Sequence, residues 1–207
     1  MKGPARMHIL FLGDSITDWG RSRPDGKRLG DGYVKLVADD LQSRHPDIDF
    51  DFTNTGISGD RTKDILERIR PDMVDRRPDL VVLMIGINDV WRRYDRNDPT
   101  TQAQFSKNYR AILDAIQKDA KAKVILLEPF LVDVPDKPFR PDLAPKVASV
   151  RLIAATRRLP LIRLDERFRQ AAKDRAPLFY AGDGIHPSPE GARFIADLVV
   201  PEIEKFL

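Results

Sequence analysis

Short apolar segments alternate with longer amphipathic segments along this chain. Five segments have the length and composition of strands: residues 8–12, 48–54, 79–86, 123–128 and 161–164. Five intervening segments carry apolar residues at helical spacing: residues 32–44, 61–70, 101–120, 143–158 and 189–205. We expect the second of these helices to stop before Pro71, because proline breaks the helical hydrogen-bond pattern.

This alternation of strand and helix predicts one α/β domain that spans residues 1–207. The expected architecture is a three-layer α/β/α sandwich of the flavodoxin-like type, with a central parallel sheet of about five strands. Ligands bind such sheets beyond the carboxyl ends of the strands. We expect the proline-rich segment 129–145 to form a structured rim and not a domain boundary, because no change in composition accompanies it.

Composition removes several classes of function. The 207 residues include 35 basic and 32 acidic side chains, which give a net charge of only +3 and are interspersed, so nucleic-acid binding is not expected. The chain has no cysteine, no metal-ligand spacing and no glycine-rich phosphate loop, and therefore no metal or cofactor is expected. No stretch is long enough to span a membrane, and the apolar run 9–12 is too short for a signal peptide, which predicts a cytoplasmic protein.

Residues with chemical potential follow the predicted strands. Ser15 comes after the first strand, Gly59 after the second and Asn88 after the third, while Asp183 and His186 lie near the C-terminus. The first three converge at one edge if the sheet is parallel, and the Asp183–His186 loop can close over them.

Each of these residue types suits acyl transfer. Serine becomes a nucleophile when a base takes its proton, and histidine is the usual base, held in the correct tautomer by a carboxylate. The three-residue spacing from Asp183 to His186 lets a compact turn join them. Backbone N–H groups and an amide side chain can stabilise a developing oxyanion. Gly59 lets the backbone approach the substrate closely, and Asn88 can supply a side-chain N–H.

Every one of these residues also has a structural alternative. Ser15 can be a helix N-cap, and Gly59 and Asn88 suit turns. Asp183 can cap a turn, and His186 can be a hydrogen-bonded loop histidine. The combination of all five in order favours the catalytic interpretation.

These blocks resemble the SGNH (GDSL) hydrolase superfamily. The matching segments are Gly13-Asp14-Ser15-Ile16-Thr17, Gly59 after Ile57-Ser58, Gly86-Ile87-Asn88-Asp89 and Asp183-x-x-His186. The resemblance implies a serine nucleophile, an Asp–His pair, and an oxyanion hole made of Ser15, Gly59 and Asn88.

Further loop residues are similar to intracellular acetylxylan esterases of that superfamily. They include Arg23-Pro24, Gly32-Tyr33-Val34 and Met84 to Arg92. This resemblance implies the removal of acetyl groups from xylo-oligosaccharides or related sugars, with a small acetylated carbohydrate as the partner, and it suggests a homo-oligomer.

Other residues near the blocks are candidates for substrate contact: Asp14, Trp19, Trp91 and Tyr180. For Asp14 we favour hydrogen bonds to nearby backbone N–H groups, and the rings are equally compatible with simple packing. The cluster of Arg92, Arg93 and Arg96 predicts a solvated face or interface.

Three other functions remain open at this point. The same residues suit a lipid-type esterase or lysophospholipase, and an acyltransferase uses the same acyl-enzyme. A binding protein without catalysis is disfavoured by the presence of every catalytic residue type.

Overall fold

A computed structural model describes residues 6–23 and 26–207 of the chain and places the five predicted strands in one parallel sheet. The strands are β1 Arg6–Gly13, β2 Asp49–Asn54, β3 Leu80–Met84, β4 Lys123–Leu127 and β5 Leu161–Ile162. Their order is β2-β1-β3-β4-β5, which is the flavodoxin-like order. The predicted sheet and its type are confirmed.

Helices cover both faces of the sheet. They are α1 Ser15–Asp18, α2 Tyr33–Arg44, α3 Thr62–Asp72, α4 Ile87–Arg96, α5 Gln102–Asp114, α6 Arg140–Arg157, α7 Leu164–Ala171, α8 Pro177–Tyr180 and α9 Pro189–Glu204. The helices α2, α7 and α9 pack on one face, while α3, α5 and the C-terminal half of α6 pack on the other. The three-layer α/β/α prediction is therefore also confirmed.

The alternating orientation of the side chains along β1 explains why there are two apolar clusters, one on each face of the sheet. Ile9 and Phe11 belong to the cluster under α2 and α9, whereas Leu10 and Leu12 belong to the cluster under α3 and α5. All four side chains are fully buried. Successive side chains of a strand point to opposite faces, so a strand covered on both faces is apolar throughout.

The strand register brings the functional loops together. Gly13 at the end of β1 is opposite Met84 at the end of β3, and Phe11 is opposite Asn54 at the end of β2. The loops that carry Ser15, Gly59 and Asn88 therefore start at the same edge of the sheet.

Several element boundaries differ from the predictions. The helix α3 continues through Pro71 and ends at Asp72, since a proline in the last turn disturbs little of the helix before it. The helix predicted for 101–120 is α-helical to Asp114 and continues as a π-helix over Ala115–Asp119. The helices α1, α4, α7 and α8 were not predicted.

Two sequence-based expectations touch residues outside the described part. Pro24, which belongs to the resemblance given above, lies outside the described residues, as do residues 1–5 of the predicted domain. Among the helices of the described ranges, none combines the length and apolar character needed to cross a membrane.

Candidate active site

The candidate site lies where the sheet topology reverses. The strand β1 is hydrogen-bonded to β2 on one side and to β3 on the other. The chain therefore crosses from β1 to β2 in one direction along the sheet and from β3 to β4 in the opposite direction. Such a switch point opens a crevice at the carboxyl ends of the strands, which is where ligands bind in doubly wound sheets. Ser15 follows β1 at this crevice, and Asn88 follows β3.

Ser15 is the first residue of the short helix α1, and Asp14 is its N-cap. The Asp14 carboxylate accepts a hydrogen bond from the Ile16 N–H at 3.1 Å. Because Asp14 caps the helix, the Ser15 hydroxyl is released from that role, and the N-cap alternative for Ser15 is wrong. Burial raises the pKa of Asp14 to about 7.

Three side chains form one hydrogen-bonded line. The Ser15 Oγ lies 2.9 Å from His186 Nε2, and His186 Nδ1 lies 2.8 Å from Asp183 Oδ2. The other oxygen, Asp183 Oδ1, accepts the backbone N–H groups of Ile185 at 2.9 Å and His186 at 2.7 Å. The expected compact turn is present, and it holds the Asp183 carboxylate beside the imidazole of His186.

This hydrogen bonding sets the charges of the pair. Partial burial opposes ionisation of Asp183, but the bonds from the His186 ring and from two backbone N–H groups outweigh it and hold its pKa below the usual range. The bond to Asp183 raises the pKa of His186 above its ordinary value, against the opposing effect of burial. The carboxylate is therefore ionised and accepts a hydrogen bond from Nδ1–H, which leaves Nε2 to face Ser15.

Gly59 and Asn88 are tied to the same crevice through backbone contacts. The Ile57 N–H donates to the Gly13 carbonyl at 3.1 Å, and Asn88 Nδ2 donates to the Asp60 carbonyl at 3.1 Å. Gly59 has a φ of +90°, in the region that favours glycine. A side-chain amide carries two N–H donors, and the bond to Asp60 uses one of those of Asn88.

Comparison with known proteins identifies the family of the chain. The model of the GDSL-like lipase/acylhydrolase family matches residues 11–194. The chain belongs to this family. An acetylxylan esterase of Geobacillus stearothermophilus is 34% identical over 203 residues, which cover 94% of this chain and 93% of that enzyme. Its crystal structure aligns with a TM-score of 0.89 at 33% identity, over 98% of this chain and 96% of that one.

A second relative is also an esterase. An arylesterase of Vibrio mimicus is 28% identical over 203 residues, which cover 96% of this chain and 89% of that enzyme. With the family match, these relatives show that the GDSL-like chain is a carboxylic ester hydrolase.

Among the candidate aromatic rings of this hydrolase, Trp91 lies beside the histidine. Its ring centroid is 6.0 Å from that of His186. The Trp19 side chain lies against Gly32, where an added Cβ would come within 2.8 Å of it. Tyr180 packs on Phe168, Phe179 and Phe194. These contacts favour the packing alternative for Trp19 and Tyr180 and leave Trp91 at the site.

The contacts of Asp14 favour a structural role. The residue is 1% exposed, and its carboxylate accepts a bond from the Ile16 N–H. These contacts agree with the favoured alternative of a bond to the backbone.

Two cationic side chains at the site were not predicted there from the sequence. Lys137, from the proline-rich segment, donates to the Asp183 carbonyl at 2.5 Å and lies 3.5 Å from Asp183 Oδ2. Arg92 donates to Asn88 Oδ1 at 2.8 Å, and its side chain is 11% exposed, so it does not belong to a solvated face. Arg92 and Asn88 are four residues apart, a spacing that brings side chains together on a helix, but the helix α4 was not predicted. No feature of the sequence links Lys137 to Asp183.

Proposed function

We propose that this hydrolase removes acetyl groups from acetylated sugars, with xylo-oligosaccharides as the best candidate, through an acyl-enzyme at Ser15. The observation that carries the proposal is the hydrogen-bonded line from Ser15 through His186 to Asp183. The acetylxylan esterase of Geobacillus stearothermophilus supports it, since catalytic mutants of that enzyme replace a serine, a histidine or an aspartate with alanine.

The geometry allows the following first half-reaction. His186 Nε2 takes the hydroxyl proton as Ser15 Oγ attacks the ester carbonyl. Negative charge develops on the carbonyl oxygen, which accepts from the backbone N–H groups of Ser15 and Gly59 and from Asn88 Nδ2. The tetrahedral intermediate then collapses, the bond to the sugar oxygen breaks, and His186 returns its proton to that oxygen.

Water completes the second half-reaction. His186 removes a proton from water, the resulting nucleophile attacks the acetyl-Ser15 carbonyl, and acetate leaves as Ser15 Oγ regains the proton. Asp183 stays ionised throughout and stabilises the imidazolium that forms twice.

Trp91 is the residue that we assign to the substrate side. Its ring lies next to His186 and is only partly buried, so it can either limit the acyl side to small groups or stack on a sugar ring. Crowding of the acyl side favours acetyl esters and predicts a penalty for each extra methylene, because close-packed sites resist added volume. Stacking on a sugar ring favours esters of sugars.

A substrate panel tests the proposal. The panel consists of acetyl, butyryl and octanoyl p-nitrophenyl esters together with acetylated xylose and xylobiose, and Ser15→Ala serves as the inactive control. We expect kcat/KM to fall from acetyl to octanoyl and acetylated xylobiose to be a good substrate. A preference for octanoyl esters with inert sugar acetates would assign the chain to the lipid-type esterases instead. Transfer of acetyl to added sugar faster than to water would identify an acyltransferase.

A further inference from the structure

The helix α4 places Arg92 against the side-chain amide of Asn88, on its Oδ1 side. Asn88 and Arg92 are four residues apart and lie on the same face of the helix, one turn from each other. Arg92 Nη2 donates to Asn88 Oδ1 at 2.8 Å, and Asn88 Nδ2 donates to the Asp60 carbonyl at 3.1 Å. Asn88 is 2% exposed, so neither end of its amide is free to exchange these partners for bulk water.

These two partners permit a single orientation of the Asn88 amide. A guanidinium can only donate hydrogen bonds and a carbonyl can only accept them. If the amide were rotated by half a turn, its NH₂ group would face the Arg92 donor and its oxygen would face the Asp60 carbonyl. Arg92 therefore opposes the rotation that would remove the N–H donor from the crevice and replace it with an oxygen, which would repel an oxyanion.

Arg92 is itself held in place. Its Nη1 forms an ion pair with Asp95, and its guanidinium carbon lies 5.5 Å from the centroid of the Trp91 ring. The Arg92 side chain is 11% exposed, whereas the adjacent Arg93 is 51% exposed and pairs with Asp142. Only one of these two neighbouring arginines thus reaches the site.

We propose that Arg92 is a positioning residue that holds the Asn88 amide with its N–H directed at the oxyanion. The charged bond to Oδ1 also polarises the amide, which makes the remaining N–H a stronger donor. This proposal rests on the oxyanion role given to Asn88 under the proposed function. It assigns no contact between Arg92 and the substrate.

The test compares Arg92→Met, which removes the donors, with Arg92→Lys, which keeps a charge and a donor. Arg93→Met is the matched control. The assay uses p-nitrophenyl acetate, so its outcome does not depend on the sugar specificity. We expect kcat to fall by roughly tenfold for Arg92→Met, as for the loss of one hydrogen bond to a charged group, and by less for Arg92→Lys. The KM should stay within about twofold, since the oxyanion forms only in the transition state.

A double-mutant cycle with Asn88→Ala decides whether Arg92 acts through Asn88. We expect Asn88→Ala to lower kcat by roughly 10²–10³, and we expect Arg92→Met to have almost no further effect in that background. An equal loss from Arg92→Met in both backgrounds would overturn the proposal, as would wild-type kcat in Arg92→Met. If Arg92→Met does not fold, as judged by circular dichroism, the same cycle with Arg92→Lys must show the non-additivity.

The cycle also separates the two proposals. If Asn88→Ala alone has wild-type kcat, the oxyanion role of Asn88 and the role of Arg92 both fall. If Asn88→Ala is impaired and Arg92 acts independently of it, only the role of Arg92 falls.

Discussion

The protonation of His186 controls the proposed reaction. Only the neutral imidazole can take the Ser15 proton, so activity requires a pH above the His186 pKa. The hydrogen bond to Asp183 raises that pKa from its ordinary value of 6.5. We therefore expect the acid limb of kcat/KM for p-nitrophenyl acetate to have its midpoint above pH 6.5, with full activity on the alkaline side.

Two charged side chains near His186, those of Asp14 and Lys137, should move the midpoint of the acid limb in opposite directions. Asp14 has a pKa of about 7 and is therefore partly ionised across this limb, and its negative charge raises the pKa of His186. The positive charge of Lys137 lowers the pKa of His186. Asp14→Asn keeps a side-chain oxygen for the cap and should move the limb to lower pH. Lys137→Met should move it to higher pH. Shifts in the same direction for both variants, or a wild-type midpoint below 6.5, would contradict this electrostatic account.

Some residues of the site could be predicted from the sequence, whereas others are placed only by the structure. Asp183 and His186 could be predicted as a pair because a compact turn can join residues three positions apart. Ser15 could be predicted because it lies just after the end of a strand. Arg92 and Lys137 could not be placed in the same way. Lys137 reaches Asp183 from 46 residues away, and that contact depends on how a loop folds back over the crevice.

The proline-rich segment acts as a support for the loop that carries Asp183 and His186. The Val132 N–H donates to the Gly184 carbonyl at 2.9 Å, and the bridge between Ala181 and Pro187 closes the loop. Gly184 has a φ of +82°, and an added Cβ would come within 2.7 Å of the Val132 carbonyl. The segment was predicted as a structured rim, and these contacts explain what the rim supports.

Two glycines that flank Asp183 offer a matched pair of variants. Gly184→Ala would strain the backbone and push the loop away from Val132, so we expect a lower Tm together with a lower kcat. Gly182→Ala is the control, since its Cβ meets nothing within 4 Å and its φ is not positive. Thermal melts and p-nitrophenyl acetate assays measure both effects. Equal behaviour of the two variants would argue against the supporting role of the segment.

The helix α4 shows why some elements were not predicted. Gly86 precedes it with a φ of +135°, and the Asn88-Asp89 pair has a composition that suits turns equally well. Asp89 is nevertheless 1% exposed and accepts from Thr62 N and Oγ1 at the start of α3. A tertiary contact between two helix starts thus decides a local structure that the local sequence leaves open.

The molecule as a whole separates its stabilising core from its chemistry. The long strand pattern was predictable because β1 and β3 are apolar on both faces, and their parallel pairing then fixes the edge at which the loops meet. The core lies between the strands and the helices, while the candidate site lies in the loops and helix starts beyond the strands. Stability and catalysis should therefore respond to different substitutions.

A core variant and a site variant test this separation. Ile112 in α5 is fully buried, and it lies about two helical turns beyond Phe105, the residue of α5 that adjoins Gly86 at the site end of β3. Ile112→Ala should cost about 2–5 kcal/mol of stability and lower Tm by roughly 5–15 °C, with kcat at 25 °C within about twofold of wild type. Ser15→Ala should do the reverse, with Tm nearly unchanged and kcat lower by about 10⁶, as for the nucleophile of another serine hydrolase. A large loss of kcat in folded Ile112→Ala would show that core packing positions the Ser15–His186 pair directly, and substantial residual turnover in Ser15→Ala would remove Ser15 as the nucleophile.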